Sequence, residues 1–580
     1  MRNCNRVRAG VHGRAAIVVV VLLFAASWVL LTGCTAKPET GPTNAFLVKG
    51  QVIVTGPAAD VNDVILAAKQ SGVRLRELPA GELPLGSLIE EAGGVGQRTA
   101  EKAQPDPFFP FSPDDLQTLV VRPYAFDQDG DSPTVGEVVA TIDEAADSMA
   151  DERGKPVHVY ADPNYLTGIL GQSQCGSPHT PSGSPHTPSG SSFEVAGSPH
   201  TPSGSGSGGG PAVAAAGVDF WGQWAFKQIR VGQPKQPAQQ SPGAGVHVGI
   251  FDTSPFTLTV PPAVMDAAGV THSTEVVNWV TPVLSLGVSH LAAPSPALPA
   301  TDPKNALDMR DHGLFVSGLV HAVAPQSDIT LIRVLNPYGC GSLQSLNSGL
   351  FRYIQQSLSQ GMLASSVFNL SLGIHKPKAS DRSRAAELRM SPDEIDRLRM
   401  DDIESLRTLL YFAHSQGAVI VAAAGNESTQ IDVEPMQIPA GYPFVIGVAA
   451  NNNDVGRSCF SNRGEVSAPG GDGGPDKDKP AQYPCAPRND VCTDSACDKS
   501  VVSLVHHVTD GYAYWSGSSF SAPLVSGLAA LLLSTDDVSP IDVPGRIEAS
   551  ACPPVPADPD LGAGVINVDA TLSGAPCLTP

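Results

Sequence analysis

"GAVIVAAAGN", residues 417–426, is apolar without interruption from Ala418 to Ala424 and stops at a Gly-Asn pair. A strand with one wet face would alternate. A run apolar on both faces reads as a strand covered on both sides, the habit of parallel sheets flanked by helices. Four further runs share the character: "GVHVGIFD" at 245–252, "DITLIRVL" at 328–335, "SSVFNLSLG" at 365–373 and "PFVIGVAA" at 443–450. Helical stretches such as "DDIESLRTLLYFAHSQ", 401–416, lie between some of them. This alternation predicts an α/β domain with a mainly parallel sheet flanked by helices. In such sheets the chemistry gathers at the carboxyl ends of the strands, which is where functional side chains are sought.

The rest of the chain divides by composition. With 580 residues, two or three domains are expected, and 58 Gly with 52 Pro point to many loops. A formal charge of −21 argues against nucleic acid or an anionic lipid surface as a partner, because phosphates reward clustered Lys and Arg. Residues 1–33 read as a signal peptide: Arg2, Arg6, Arg8 and Arg14 precede an uncharged apolar run from Ala15 to Leu31. Its end, Leu31-Thr32-Gly33-Cys34, resembles the bacterial lipobox. That resemblance implies cleavage before Cys34, a lipid on its thiol, and an exported cell-envelope protein held at the membrane, or an extracellular one after processing. An ordinary signal peptide or a single anchor helix is the plainer alternative.

Residues 46–167 alternate strand and helix patterns in the order βαββαβ, which suggests a small ferredoxin-like α+β domain. In "DVNDVILAAKQSG", Val61, Val64, Ile65 and Ala68 share one helical face. "VRLREL" reads as one of the strands. Residues 171–217, with three copies of "SPHTPSG", are too rich in Ser, Gly and Pro to build a core and read as a linker. Eight cysteines beyond Cys4 and Cys34 suggest disulfides in an exported chain, without fixing their pairing.

Three element ends carry groups that belong together. Asp252 follows "VHVGIF", His312 opens "HGLFVSGLVHAVAP" beside Gly313, and Ser519 stands where "GSSFSAP" enters an apolar helix, with Pro523 expected in its first turn. A hydroxyl becomes a nucleophile when an imidazole takes its proton, and the imidazole needs a carboxylate to fix its tautomer. Alone, Ser519 would be a helix cap, Asp252 a turn residue, His312 a core histidine and Asn426 a turn.

Together these motifs make the segment 218–573 resemble a subtilisin-like serine protease, a subtilase. The resemblance is carried by "FDTS", "HGLFVSG" and "GSSFSAP", and by "NLSLG" (369–373), "VAAAGN" (421–426), "FSNRGEVSAPG" (460–470) and "GAGVINVDA" (562–570). It implies a triad of Asp252, His312 and Ser519, with the amide of Asn426 and the backbone N–H of Ser519 as oxyanion hole. It further implies that Ser371, Leu372 and Gly373, with Gly339 and Gly341 of "GCGS", form extended edges that pair with protein or peptide substrates. The βαββαβ segment would be a propeptide acting as intramolecular inhibitor, with cleavage in the linker; a permanently attached binding domain is the alternative. No cofactor is required, and the Asp- and Cys-rich insert 470–500 would at most add structural calcium or be a disulfide-stapled loop. Ser254 departs from the family by standing where Gly is usual, and Leu314 and Ser518 replace Thr. Glu427, beside Asn426, reads as a surface charge, with a part in the substrate pocket as the alternative, and residues 374–402 read as an inserted charged surface helix. The rival reading is a catalytically inactive subtilase-fold surface protein that binds its targets.

Overall fold

A computed structural model describes residues 46–78, 82–91, 110–127, 132–169, 220–231, 242–256, 274–280, 284–292, 309–388, 390–474, 486–487, 499–506, 511–535 and 537–577. The signal segment with Cys34, the linker 171–217 and most of the insert 470–500 lie outside them.

The N-terminal part begins with strand β1 (Leu47–Pro57) and helix α1 (Ala58–Gln70), whose buried residues are Val61, Val64, Ile65 and Ala68. Short strands β2 (Arg76–Glu77) and β3 (Leu83–Pro84) follow, then β4 (Leu119–Ala125), helix α2 (Val135–Arg153) and strand β5 (Tyr160–Gly168). Thr134 caps α2 in a reciprocal box with Glu137, and left-handed Gly154 ends it. The strands run in the order β5-β1-β4-β2 with antiparallel pairing. The strand expected over "VRLREL" shrinks to Arg76 and Glu77, both exposed: at the sheet edge only one neighbour stabilises it, and its side chains bury nothing.

The larger sheet contains β6 (His247–Asp252), β7 (Thr274–Val280), β8 (Ser285–Ala292), β9 (Asp328–Arg333), β11 (Ser366–Leu370), β13 (Val419–Ala423), β14 (Ile446–Asn451) and β15 (Val466–Pro469). Its order is β15-β14-β13-β11-β6-β9-β8-β7, parallel throughout except for the antiparallel β7–β8 edge. The unalternating strands are buried along their length: Val419, Ile420, Val421, Ala422 and Ala423 are each 3% exposed or less. Helices α3 (His312–Val323), α4 (Leu343–Ser359), α5 (Pro392–Met400), α6 (Glu404–Ser415) and α7 (Ser518–Leu533) accompany the sheet, and α7 packs against α3, β11, β13 and β14.

Strand β5 joins the two parts. It pairs antiparallel with two short edges, β10 (Cys340–Ser342) and β12 (Gly373–Ile374), so Gly168 lies opposite both Cys340 and Gly373. The ladder continues as Ile169 N–H donates to Gly339 O at 3.1 Å and His375 N–H to Leu166 O at 2.9 Å. The same strand caps two helices. Asn164 Oδ1 accepts from Gln344 N–H in the first turn of α4, at 3.1 Å. Asp162, 1% exposed, accepts from Glu404 N–H at 3.0 Å and Ser405 N–H at 2.8 Å, at the start of α6. These are amides that a helix cannot satisfy internally, and burial, with Asp401 nearby, pushes the Asp162 carboxyl well above the usual carboxylate range.

The inserted segment 374–402 has a second role besides charge display. Its helix α5 buries Ile395 and Leu398, and Tyr165 of β5 donates to Leu398 O at 3.2 Å and Asp401 Oδ2 at 2.8 Å. Asp162→Ala would strand two buried donors, and a loss of about 1–3 kcal/mol is expected. Urea unfolding of the full chain, made uncleavable by Ser519→Ala, reads this as a lower midpoint. An unchanged midpoint would mean that Asp162 carries no such weight.

Among the described residues, Cys552 and Cys577 form a disulfide with each other, and Cys340 and Cys459 are each disulfide-bonded, though not to one another. No helix among them is long and apolar enough to cross a membrane.

Candidate active site

Strand β6 ends on Asp252 because its carboxyl end lies at the rim of the sheet, in register with Arg333 at the end of β9. The carboxylate and the imidazole of His312 are both fully buried, and His312 Nδ1 stands 2.8 Å from Asp252 Oδ1 and 2.9 Å from Oδ2. Such a contact assigns the proton to Nδ1 and leaves Nε2 as the basic nitrogen. Asp252 Oδ1 is further fixed by Thr253 N–H at 2.6 Å. Thr253 Oγ1 donates to Met309 O at 2.9 Å and accepts from Gly313 N–H, tying the Asp loop to the start of α3. Gly313 permits this approach: a Cβ there would stand 2.3 Å from Thr253 O and 3.0 Å from Asp252 Cβ.

Ser254, in place of the usual glycine, needs no left-handed backbone. Among the described residues only Arg230 and Val455 combine a positive φ with a side chain. Its hydroxyl lies 3.3 Å from His290 Nδ1 and accepts from Phe256 N–H.

The imidazole sits in an aromatic wall. Trp515 meets it edge-on at 5.2 Å between centroids, and Phe520 lies at 5.3 Å. Phe315 packs on both aromatics. The wall keeps water from the ring and so strengthens its pairing with Asp252. Phe520 stands next to Ser519, which brings helix α7 against the histidine.

Ser519 is 1% exposed in the first turn of α7. Its Oγ donates to Ser371 O at 3.2 Å, and Nε2 of His312 has no hydrogen-bond partner among the described residues. The hydroxyl therefore points to the carbonyl of Ser371; one χ1 rotation separates that rotamer from others. Hydrogen bonds of catalytic groups are often incomplete without substrate.

Pro523 is not in the first turn, as its motif suggested, but is the sixth residue of α7. Its missing N–H leaves the carbonyl four residues back, that of Ser519, without its helical donor. Ser371 Oγ takes that carbonyl at 2.8 Å. Ser371 Oγ accepts in turn from Asn369 Nδ2 at 2.9 Å, and Asn369 Oδ1 accepts from Ser526 Oγ at 2.9 Å. The proline thus opens the helix at the one carbonyl through which the edge strand can hold the serine. Asn369 opens the motif "NLSLG", but its role in this chain of bonds, like that of Ser526, has no signal in the sequence.

Asn426 follows β13. Its Oδ1 accepts from Ser518 N–H at 2.8 Å, and its Nδ2 would be 3.4 Å from a Cβ placed on Gly517. The amide is thereby oriented beside the entry to α7, whose first N–H groups have no carbonyl four residues back. Glu427 is half-buried, and its Oε2 accepts from Asn426 N–H at 2.9 Å and from Asn462 Nδ2 at 2.8 Å.

Leu372 is fully buried between Ser371 and the edge at Gly373, which pairs with Gly168 of β5; Gly341 pairs with Thr167, and Gly339 O accepts from Ile169 N–H. A Cβ on Gly339 would meet Ile169, and one on Gly341 would meet Thr167. Among the described residues no cluster of three or more His, Cys, Asp or Glu is arranged to hold a metal ion.

The site is thus a buried carboxylate–imidazole pair at the end of a parallel sheet, with a serine in the first turn of the neighbouring helix α7. Residues 293–564 match the profile of the subtilase family, a range that includes His312, Asn426 and Ser519 and begins after Asp252. The chain is 28% identical over 277 residues to subtilisin of Bacillus pumilus, covering 45% of this chain and 78% of that protein. Subtilisin DY of Bacillus licheniformis is 28% identical over 276 residues, with the same coverage. Subtilisin E of Bacillus subtilis (strain 168) is 27% identical over 258 residues, covering 42% of this chain and 51% of that protein. These matches support a subtilisin-like serine protease.

Proposed function

We propose that the protein is an exported serine endopeptidase made as a zymogen, with Ser519 as nucleophile, His312 as general base and acid, and Asp252 as its orienting carboxylate. The observation that carries this reading is the buried contact of His312 Nδ1 with both oxygens of Asp252, beside the helix that bears Ser519. In the reaction Ser519 Oγ leaves Ser371 O, gives its proton to His312 Nε2 and attacks the peptide carbonyl. The carbonyl oxygen gains negative charge, which the amide of Asn426 and the N–H of Ser519 stabilise. The imidazolium then passes its proton to the leaving amine, and water repeats the cycle on the acyl-enzyme.

Residues 46–167 serve as the propeptide. Support comes from β5, which occupies both edges assigned to substrate, formed by residues 339–342 and 371–374, as an added antiparallel strand. Activation then requires cleavage in the linker, and the lipid on Cys34 would hold the uncleaved chain at the membrane.

A fluorophosphonate probe is expected to label the activated enzyme and to leave Ser519→Ala unlabelled. A wild-type chain that takes up no probe would be an inactive binding protein of the same fold. Asn426→Ala is expected to lower kcat about 10²–10³-fold with little change in KM, because its amide acts on charge that exists only after attack. An unchanged kcat would remove Asn426 from the oxyanion hole.

A further inference from the structure

The motif "FSNRGEVSAPG" has no chemical role in the mechanism above, yet one of its residues reaches the oxyanion loop. Asn462 is fully buried, and its backbone N–H and both polar atoms of its side chain bond to that loop. Its Oδ1 accepts from Glu427 N–H at 3.0 Å and from Ser428 Oγ at 2.9 Å. Its Nδ2 donates to Glu427 Oε2 at 2.8 Å, to Pro435 O at 3.0 Å and to Ala424 O at 3.3 Å. Its backbone N–H donates to Gly425 O at 3.0 Å. Residues 424, 425, 427 and 428 are thus held from one side chain and its own amide, and Asn426 is the residue between them.

The loop is shaped to admit this grip. Gly425 has φ of +125°, and a Cβ there would lie 2.2 Å from Asn462 Nδ2 and 2.5 Å from Glu427 Oε2. Glu427, held by Asn462, returns its carboxylate to the N–H of Asn426. The backbone of Asn426 is fixed from that side and its side-chain oxygen by Ser518 N–H, which leaves its amide one direction to point. A carboxamide is suited to the task because it supplies an acceptor and two donors in one plane, with no charge to desolvate.

We propose that Asn462 is a positioning residue for the oxyanion donor, acting with Glu427 to hold Asn426 where charge develops. The inference rests on the assignment of Asn426 to the oxyanion hole. Stabilisation of this kind depends on donors already in place, so loosening the loop should be felt in turnover.

The test is a double-mutant cycle on the activated enzyme with a peptide substrate, rates being divided by competent sites from end-point fluorophosphonate titration. Asn462→Ala is expected to lower kcat on the order of 30-fold, with KM changed by less than about threefold. Asn462→Asp keeps the size and the accepting oxygen, but sets a carboxylate against Glu427 and two carbonyls, and is expected to lose kcat likewise. In an Asn426→Ala background either change should cost less than about threefold, since its target is already gone. The same factor in both backgrounds, a loss confined to KM, or full kcat in both variants would overturn the proposal. So would a result in which neither variant yields titratable sites, which would make Asn462 purely structural. If Asn426→Ala itself leaves kcat unchanged, the oxyanion assignment falls first; if it slows turnover and Asn462 does not couple to it, only the present inference falls.

Discussion

Ser519→Ala is expected to lower kcat by roughly 10⁴-fold or more, leaving the residual rate that substrate binding and the oxyanion donors supply. The substitution removes one oxygen from a nearly closed site and one hydrogen bond, that to Ser371 O at 3.2 Å. The carbonyl of residue 519 keeps its bond from Ser371 Oγ, so the helix entry stays anchored. The variant should therefore fold as the parent does while forming no acyl-enzyme. Kinetics on a chromogenic peptide read the loss, and the variant should also accumulate at the uncleaved size if the chain processes itself. Activity within tenfold of the parent would exclude Ser519 as nucleophile.

The second large effect is expected at Asp252. Asp252→Asn conserves size but offers His312 Nδ1 a neutral amide in place of two carboxylate oxygens at 2.8 and 2.9 Å. Its oxygen can face only one of Nδ1 and Thr253 N–H well, and its NH₂ favours the tautomer with the proton on Nε2. That nitrogen then cannot take the proton of Ser519, and the imidazolium loses its buried counter-charge. A fall in kcat of about 10⁴-fold follows, or about 5.5 kcal/mol of barrier. Steady-state kinetics at neutral pH measure it, with circular dichroism to verify the fold. A decrease below tenfold would show that the carboxylate does not orient the base.

These outcomes turn on features of unequal visibility in the sequence. The strand at 417–426 was legible because burial on both faces writes itself as an unbroken apolar run. Asp252 and His312 were legible because each stands at an element end inside a short motif. The roles of Asn369, Ser526 and Asn462 were not, although the first and last stand inside recognisable motifs, because a buried polar residue looks like any other until its partners are known. Asn369 and Ser526 are 157 residues apart, and Asn462 and Glu427 are 35 apart. Pro523 misled for a related reason: its motif marks the helix, but the carbonyl it leaves free is satisfied by Ser371, from the link between β11 and β12. Glu427 looked like a surface charge because no local pattern announces the amide that holds it.

By itself the sequence determined that a two-sided parallel sheet would form, which strand and helix ends would carry the acid, the imidazole and the hydroxyl, and that a smaller strand–helix unit precedes them. Periodicity and motif are local records of burial and backbone shape, and they survive in one dimension. Only the tertiary structure decided that β5 lies between residues 340–342 and 373–374, that Ser519 Oγ rests on Ser371 O, and that Asn462 grips the loop of Asn426. Those are contacts between distant segments, set by the register and packing of the whole sheet, and no short stretch of chain encodes them.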